Sequence, residues 1–147
     1  MFDVILVGGG LQSALILLAL RAHQPELRVA LVEQKDRLGG NHTWCFHQTD
    51  LQESSHGWIE PLVSARWSGY DVRFPDGSTH IDGGYAAITS DQLHEAVVAR
   101  LNTDGELYLQ TTVQSLDENR VTLDNGTELQ ARVVIDARGP LETDPRN

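Results

Sequence analysis

The apolar run Phe2-Asp3-Val4-Ile5-Leu6-Val7 ends in Gly8-Gly9-Gly10 and passes straight into the apolar stretch Leu11 to Leu20. A strand that breaks at glycines and re-enters the chain as a helix fits few folds. Gly8 permits the tight turn and Gly10 lets backbone approach a ligand closely. The helix start then offers unpaired N–H groups and a partial positive charge. The pattern predicts a pyrophosphate cradle, and so a dinucleotide site.

The rest of the chain supports one core. Its 147 residues are enough for one domain or part of a larger one. With 11 Lys+Arg against 21 Asp+Glu and a net charge of −10, it cannot assemble a basic face for nucleic acid. A single cysteine, Cys45, rules out an internal disulfide and suits a reducing cytoplasm. The start lacks the basic residues and cleavage site of a signal peptide. The longest apolar run, Ala14 to Leu20, falls far short of the ~20 residues a membrane span requires.

Phe2 to Val7 reads as a central strand, Leu11 to His23 as a helix with Pro25 just past its end, and Arg28 to Glu33 as a second strand. Together they make a βαβ unit over residues 2–33. Residues 34–84 read as a long functional loop with one short helix, then a hairpin. Tyr70 to Phe74 and Thr79 to Ile81 are its arms, joined by Pro75-Asp76-Gly77-Ser78. Residues 89–131 read as a helix and a β-meander. Thr89 and Gln92 are spaced as a capping box, and Leu93, Val97, Val98 and Leu101 form one apolar face. The meander strands are Leu107 to Leu116, Arg120 to Leu123 and Thr127 onward, with Asn125-Gly126 as the hairpin turn. Residues 132–136 return to the parallel sheet, and Val133-Val134-Ile135 predicts burial on both faces.

Gly8-Gly9-Gly10-Leu11-Gln12-Ser13 matches G-x-G-x-x-G except at Ser13, which is small enough for close helix–strand packing. Twenty residues later, Glu33 ends the second strand. A carboxylate there accepts from ribose hydroxyls and repels a 2′-phosphate, which disfavours NADP at this site. Arg37-Leu38-Gly39-Gly40 follows closely, as in flavoproteins where a second glycine pair lets the chain pass beside the cofactor. Ile135-Asp136-Ala137-Arg138-Gly139 closes the last strand as many FAD-dependent hydroxylases and reductases do. The order of elements favours FAD over NAD and predicts an α/β, Rossmann-type FAD/NAD(P)-binding domain with an inserted β-meander.

Gly39-Gly40-Asn41-His42-Thr43-Trp44 makes the resemblance specific. Taken with Gly8 to Leu11, Phe46-His47, Trp58 to Val63, Val72 to Pro75, Gly84-Tyr85 and Ile88 to Ser90, it resembles the N-terminal part of bacterial lycopene β-cyclases. The likeness runs from Phe2 to about Gly139. It implies an FAD enzyme of carotenoid biosynthesis that closes the ψ-ends of lycopene into β-ionone rings, giving β-carotene through γ-carotene without net redox. It further implies reduced flavin supplied by NAD(P)H, and a family longer than this chain, with the fold incomplete at its C-terminus and the catalytic motif beyond residue 147. No catalytic acid is assigned here. Glu60 reads as a surface carboxylate and Asp136 as a cofactor-turn residue.

The expected cofactor contacts are Gly8, Gly9, Gly10 and Ser13 at the pyrophosphate and Glu33 at the ribose. Gly39, Gly40, Asn41 and His42 follow as neighbours, with Asp136 and Gly139 at the closing turn. By analogy with related FAD folds, the Val113 backbone lies near adenine. His42, Cys45, His47 and His56 lack the paired spacing of a metal site. Trp44, Trp58 and Trp67 read as core or domain-contact residues, with Trp44 also suited to an apolar tunnel, and Asp117-Glu118-Asn119 as a solvated turn. Two other readings stay open: a generic FAD-dependent monooxygenase domain, and a non-catalytic nucleotide-binding fragment ending in the polar tail Leu141 to Asn147. An apolar substrate also makes peripheral contact with the inner membrane an expectation for an otherwise cytoplasmic protein.

Overall fold

The computed structural model describes residues 1–101 and 106–139; the tail from Leu141 to Asn147 lies outside them. Strand β1 (Phe2–Val7) runs into helix α1 (Leu11–His23) and returns as β2 (Val29–Val32). The strands pair in parallel from Val4↔Val29 to Val7↔Val32. Because successive side chains of a strand face opposite sides, β1 feeds two cores. Leu6 joins the cluster built by Leu17, Leu18 and Leu31, whereas Ile5 and Val7 join Val121, Leu123 and Leu129. Ile5 and Leu6 are completely buried, so β1 is the centre of the molecule.

Helix α1 ends ahead of Pro25, which disfavours helical backbone at Gln24, and the Gln24 N–H closes on the Leu20 carbonyl. In its last turn Arg21 donates to the Leu27 and Arg100 carbonyls and, at 3.1 Å, to Glu106. This buried pair, invisible to sequence patterning, ties the helix end to the start of the next parallel strand.

Leu107 to Leu116 is not one meander strand, as the sequence suggested. Strand β6 (Leu107–Tyr108) joins the parallel sheet beside β2, and β7 (Val113–Leu116) begins the meander. Between them Gln110 adopts φ 51°. There the Gln110 and Thr111 N–H groups donate to the carbonyls of Lys35 and Glu33, which outweighs the local preference for extended chain. Strand β8 (Arg120–Leu123) pairs antiparallel with β7 and with the first part of β9 (Glu128–Asp136), whose second part pairs parallel with β1. The sheet order is β6-β2-β1-β9-β8-β7. Burial of β9 on both faces fails at Val133, which is 49% exposed because no described element covers it.

Residues 34–69 hold more structure than a loop with one short helix. Strand β3 (Thr43–His47) and the first half of β4 (Ala65–Phe74) fall there, around α2 (His56–Ile59) and three single 3₁₀ turns. The hairpin arms are also longer than expected, since β5 (Gly77–Thr89) continues well past Ile81. A bulge between Trp67 and Gly69 and the Gly83-Gly84 pair interrupt the alternation that would have revealed them. The three strands form a separate sheet, β3-β5-β4, whose Trp44, Phe46 and Ile88 pack on the α1 core. Trp58 packs on the same core, whereas Trp67 is exposed.

Helix α3 (Ser90–Val98) starts at Thr89, whose hydroxyl accepts the Gln92 N–H at 3.3 Å. The reciprocal half of the capping box is not made. Gln92 donates its side chain to the Pro61 carbonyl, and the Thr89 N–H is taken by the Ser64 hydroxyl. Leu93, Ala96 and Val97 form the buried face, while Val98 points outward.

Candidate functional site

The three glycines of the first turn have different reasons to be glycine. Gly8 has φ +100°, and a Cβ there would lie 2.9 Å from the Ala137 carbonyl oxygen. It therefore both turns the chain and lets β1 approach the end of β9. At Gly9 a Cβ would collide with the side chains of Leu38 and Glu33. Gly10 is the N-cap of α1 in ordinary extended backbone (φ −83°, ψ −174°), and nothing lies within 4 Å of where its Cβ would be. Its missing side chain faces open space rather than protein.

Gly10 also lines a cleft of about 350 Å³ at the C-terminal ends of β1, β2 and β9. Open α/β sheets bind ligands at this edge. One wall is the glycine turn and the α1 start, which carries no acidic side chain in its first turn. Another is Glu33, Gln34 and Lys35 with Thr111, Thr112 and Val113. Gly39, Gly40 and His42 also line the cleft, as do Ala137, Arg138 and Gly139.

The walls are fastened to one another. The Gly9 N–H donates to Glu33 Oε2 at 2.6 Å, and the Lys35 N–H to Glu33 Oε1 at 2.8 Å. The Gly8 N–H goes to the Val32 carbonyl, and the Gly39 N–H to the Gly9 carbonyl, both at 2.8 Å. The second glycine pair is thus joined directly to the first. Helix α3 braces it, because the Leu38 N–H donates to His94 Nδ1 and the Ser90 N–H to the His42 carbonyl. Burial, and secondarily the Arg37 guanidinium, hold the His94 imidazole below its ordinary pKa. His94 therefore tends to stay neutral, as an acceptor must.

Of the residues singled out in the sequence, Gly8, Gly9, Gly10, Glu33, Gly39, Gly40, His42, Val113 and Gly139 line this cleft. Ser13, Asn41 and Asp136 do not. Ser13 is fully buried where α1 meets the sheet, its hydroxyl without a hydrogen-bond partner. Asn41 is exposed. Asp136 faces Arg138, accepting from its Nε at 2.8 Å and from an Nη at 2.7 Å. That pairing holds the Asp136 carboxyl below its ordinary range. Sequence reasoning passed over Lys35, Thr111, Thr112 and Arg138. Arg138 stands inside the turn already noted, and a cation there was the available signal. Glu60 forms an exposed ion pair with Arg66. Among the described residues, no cluster of His, Cys, Asp or Glu is arranged to hold a metal ion, and no helix is long and apolar enough to cross a membrane.

A glycine turn between β1 and α1, an acidic residue ending β2 and a meander running into the returning strand define a Rossmann-type dinucleotide-binding α/β domain. A similar fold occurs in 2-methyl-3-hydroxypyridine-5-carboxylic acid oxygenase, with a TM-score of 0.67 at 19% identity over 91% of this chain and 38% of that one. It occurs also in p-nitrophenol 4-monooxygenase of Pseudomonas putida, with a TM-score of 0.67 at 16% identity over 95% of this chain and 41% of that one. At such identities the likeness establishes the fold alone.

Sequence carries the assignment further: the chain belongs to the lycopene cyclase family, whose sequence model, described as lycopene cyclase protein, matches residues 3–147. It is 44% identical to a lycopene β-cyclase of Pseudescherichia vulneris over 95% of this chain, and 42% identical to one of Pantoea ananas over 94%. The chain spans 36% of the length of each of these relatives.

Proposed function

We propose that this chain is the FAD-binding N-terminal portion of a lycopene β-cyclase, an intramolecular lyase that closes the ψ-ends of lycopene into β-ionone rings. The observation that carries the reading is the open direction at Gly10, at the mouth of a cleft in a member of this family. A side chain there would fill the space a pyrophosphate needs, although the backbone itself would accept one.

In this reading Gly8 and Gly9 shape the turn, Gly10 and the first-turn amides of α1 receive the pyrophosphate, and Ser13 keeps the helix close to β1. Glu33 lies at the ribose and the Val113 backbone at the adenine. Gly39, Gly40 and His42 flank the cofactor farther along, with Asn41 at the rim. Bound in reduced form, with NAD(P)H as reductant, the flavin supplies negative charge near a carbocation that arises when an end-group double bond is protonated. The chain's own residues bind and orient the cofactor. They supply no evident acid for that protonation, because Glu60 and Asp136 are each engaged by an arginine. Lycopene dissolves in membranes, and the exposed Trp67, Phe74 and Ile81 on the β4–β5 hairpin support peripheral contact with the inner membrane.

The test is to express the full-length protein in a lycopene-accumulating bacterium and separate the carotenoids by chromatography. Loss of lycopene with appearance of γ- and β-carotene is expected, and no conversion by the 147-residue chain alone. Unchanged lycopene beside a folded, flavin-loaded full-length protein would overturn the cyclase assignment.

A further inference from the structure

We infer that Arg138, held in place by Asp136, is the cation that meets the pyrophosphate of the cofactor, and that Asp136 acts only through Arg138. This rests on the flavin reading above and concerns the same cleft.

The turn has fewer donors to offer than its glycine content suggests. The Gly8 N–H is spent on the Val32 carbonyl and the Gly9 N–H on Glu33. What remains is the N-terminal turn of α1 from Gly10 onward, whose amides lack intrahelical partners by the geometry of any helix start. A pyrophosphate would bring two negative charges into a cleft that already holds the Glu33 carboxylate, in a chain of net charge −10. Partial helix charge alone answers that poorly.

Among the described residues, one lysine and one arginine line the cleft, Lys35 and Arg138, besides His42. Lys35 belongs to the ribose side, since its backbone is tied to Glu33 and Gln110. Arg138 belongs to the glycine turn. The position a Gly8 Cβ would take lies 3.0 Å from the Arg138 backbone nitrogen, and the Ala137 N–H donates to the Val7 carbonyl. Asp136 fixes the Arg138 side chain through Nε and one Nη, as well as its backbone N–H at 3.2 Å. The other Nη takes no part in that pair and retains its donors for a phosphate oxygen. A guanidinium held this way loses little freedom on binding, which makes it a better phosphate partner than a mobile side chain.

The experiment uses the full-length protein and reads dissociation constants rather than turnover. FAD binding is followed by flavin fluorescence, with ADP and adenosine as competitors that differ only in the diphosphate. Arg138→Ala should weaken FAD and ADP by roughly tenfold to a hundredfold, leave adenosine within about twofold, and flatten the salt dependence of ADP binding. Arg138→Lys, which keeps the charge, should recover part of the preference for ADP. Asp136→Asn should weaken ADP less than Arg138→Ala does, again without affecting adenosine. If Arg138→Ala weakened ADP and adenosine alike, the pair would be only a lock on the strand-end turn and the inference would fall. Unchanged FAD affinity in Arg138→Ala would overturn it equally. Wild-type protein that bound neither FAD nor ADP would instead overturn the flavin reading, and this inference with it.

Discussion

The Glu33 carboxylate is hydrogen-bonded to the Gly9 amide at 2.6 Å, so the acidic residue that ends β2 also fixes the shape of the glycine turn. Its other oxygen takes the Lys35 N–H. A residue read from sequence as a ribose acceptor thus has a second role, in the protein itself, before any ligand arrives.

Removing that carboxylate should therefore affect stability as well as binding. Glu33→Ala leaves two amides without their acceptor, and a loss of about 1–3 kcal/mol is expected. Glu33→Gln should lose nearly as much, because its NH₂ group cannot accept from the second amide. Denaturant melts of the full-length protein without flavin check this, and unaltered midpoints would show that the Glu33 bonds contribute nothing.

Ser13 offers a prediction of opposite sign. It stands inside α1 with a fully buried hydroxyl that has no partner. Ser13→Ala removes the unpaired group and is the better helix former, so a gain of about 0.5–1 kcal/mol is expected. A lower melting midpoint would mean that the hydroxyl has a partner in solution.

The brace behind Gly39 and Gly40 should respond to pH. His94 Nδ1 accepts the Leu38 N–H, and burial together with Arg37 lowers the His94 pKa against the opposite pull of Glu95, Asp91 and Asp36. A pKa below its unfolded value of ~6.5 gives stability that is present above that value and lost as pH falls through the folded one. Acidification from about pH 7.5 to 5.5 should lower the melting temperature and loosen flavin, by no more than about 1 kcal/mol for the one bond involved. His94→Asn should flatten that slope; an identical slope in the variant would assign the pH effect elsewhere.

The parts of the fold that sequence revealed are those with a local cause. The β1–α1–β2 unit follows from an apolar run, a glycine break and a helical stripe, and Asn125-Gly126 marks the β8–β9 turn. The parts it hid depend on distant partners. Gln110 leaves the extended path as its N–H and that of Thr111 reach the Lys35 and Glu33 carbonyls just past β2, which no propensity records. Strand β4 lacks clean alternation because a bulge between Trp67 and Gly69 interrupts its pairing with β5. In the cleft, glycines were legible because their absence of side chain is the signal. Arg138 was not, because its meaning depends on Gly8 lying against it across the sheet.

At Gly10 the protein has room for a side chain that a seated dinucleotide would exclude. Nothing lies within 4 Å of its Cβ direction, and its backbone is one that any residue adopts. The decisive measurement is an FAD titration of full-length Gly10→Leu beside wild type, with a melting curve for each. One flavin per wild-type chain, and at least a hundredfold weaker binding in a variant that melts within about 1 kcal/mol of it, is the predicted result. Equal flavin affinity in the two folded proteins would contradict a cofactor seated on this turn.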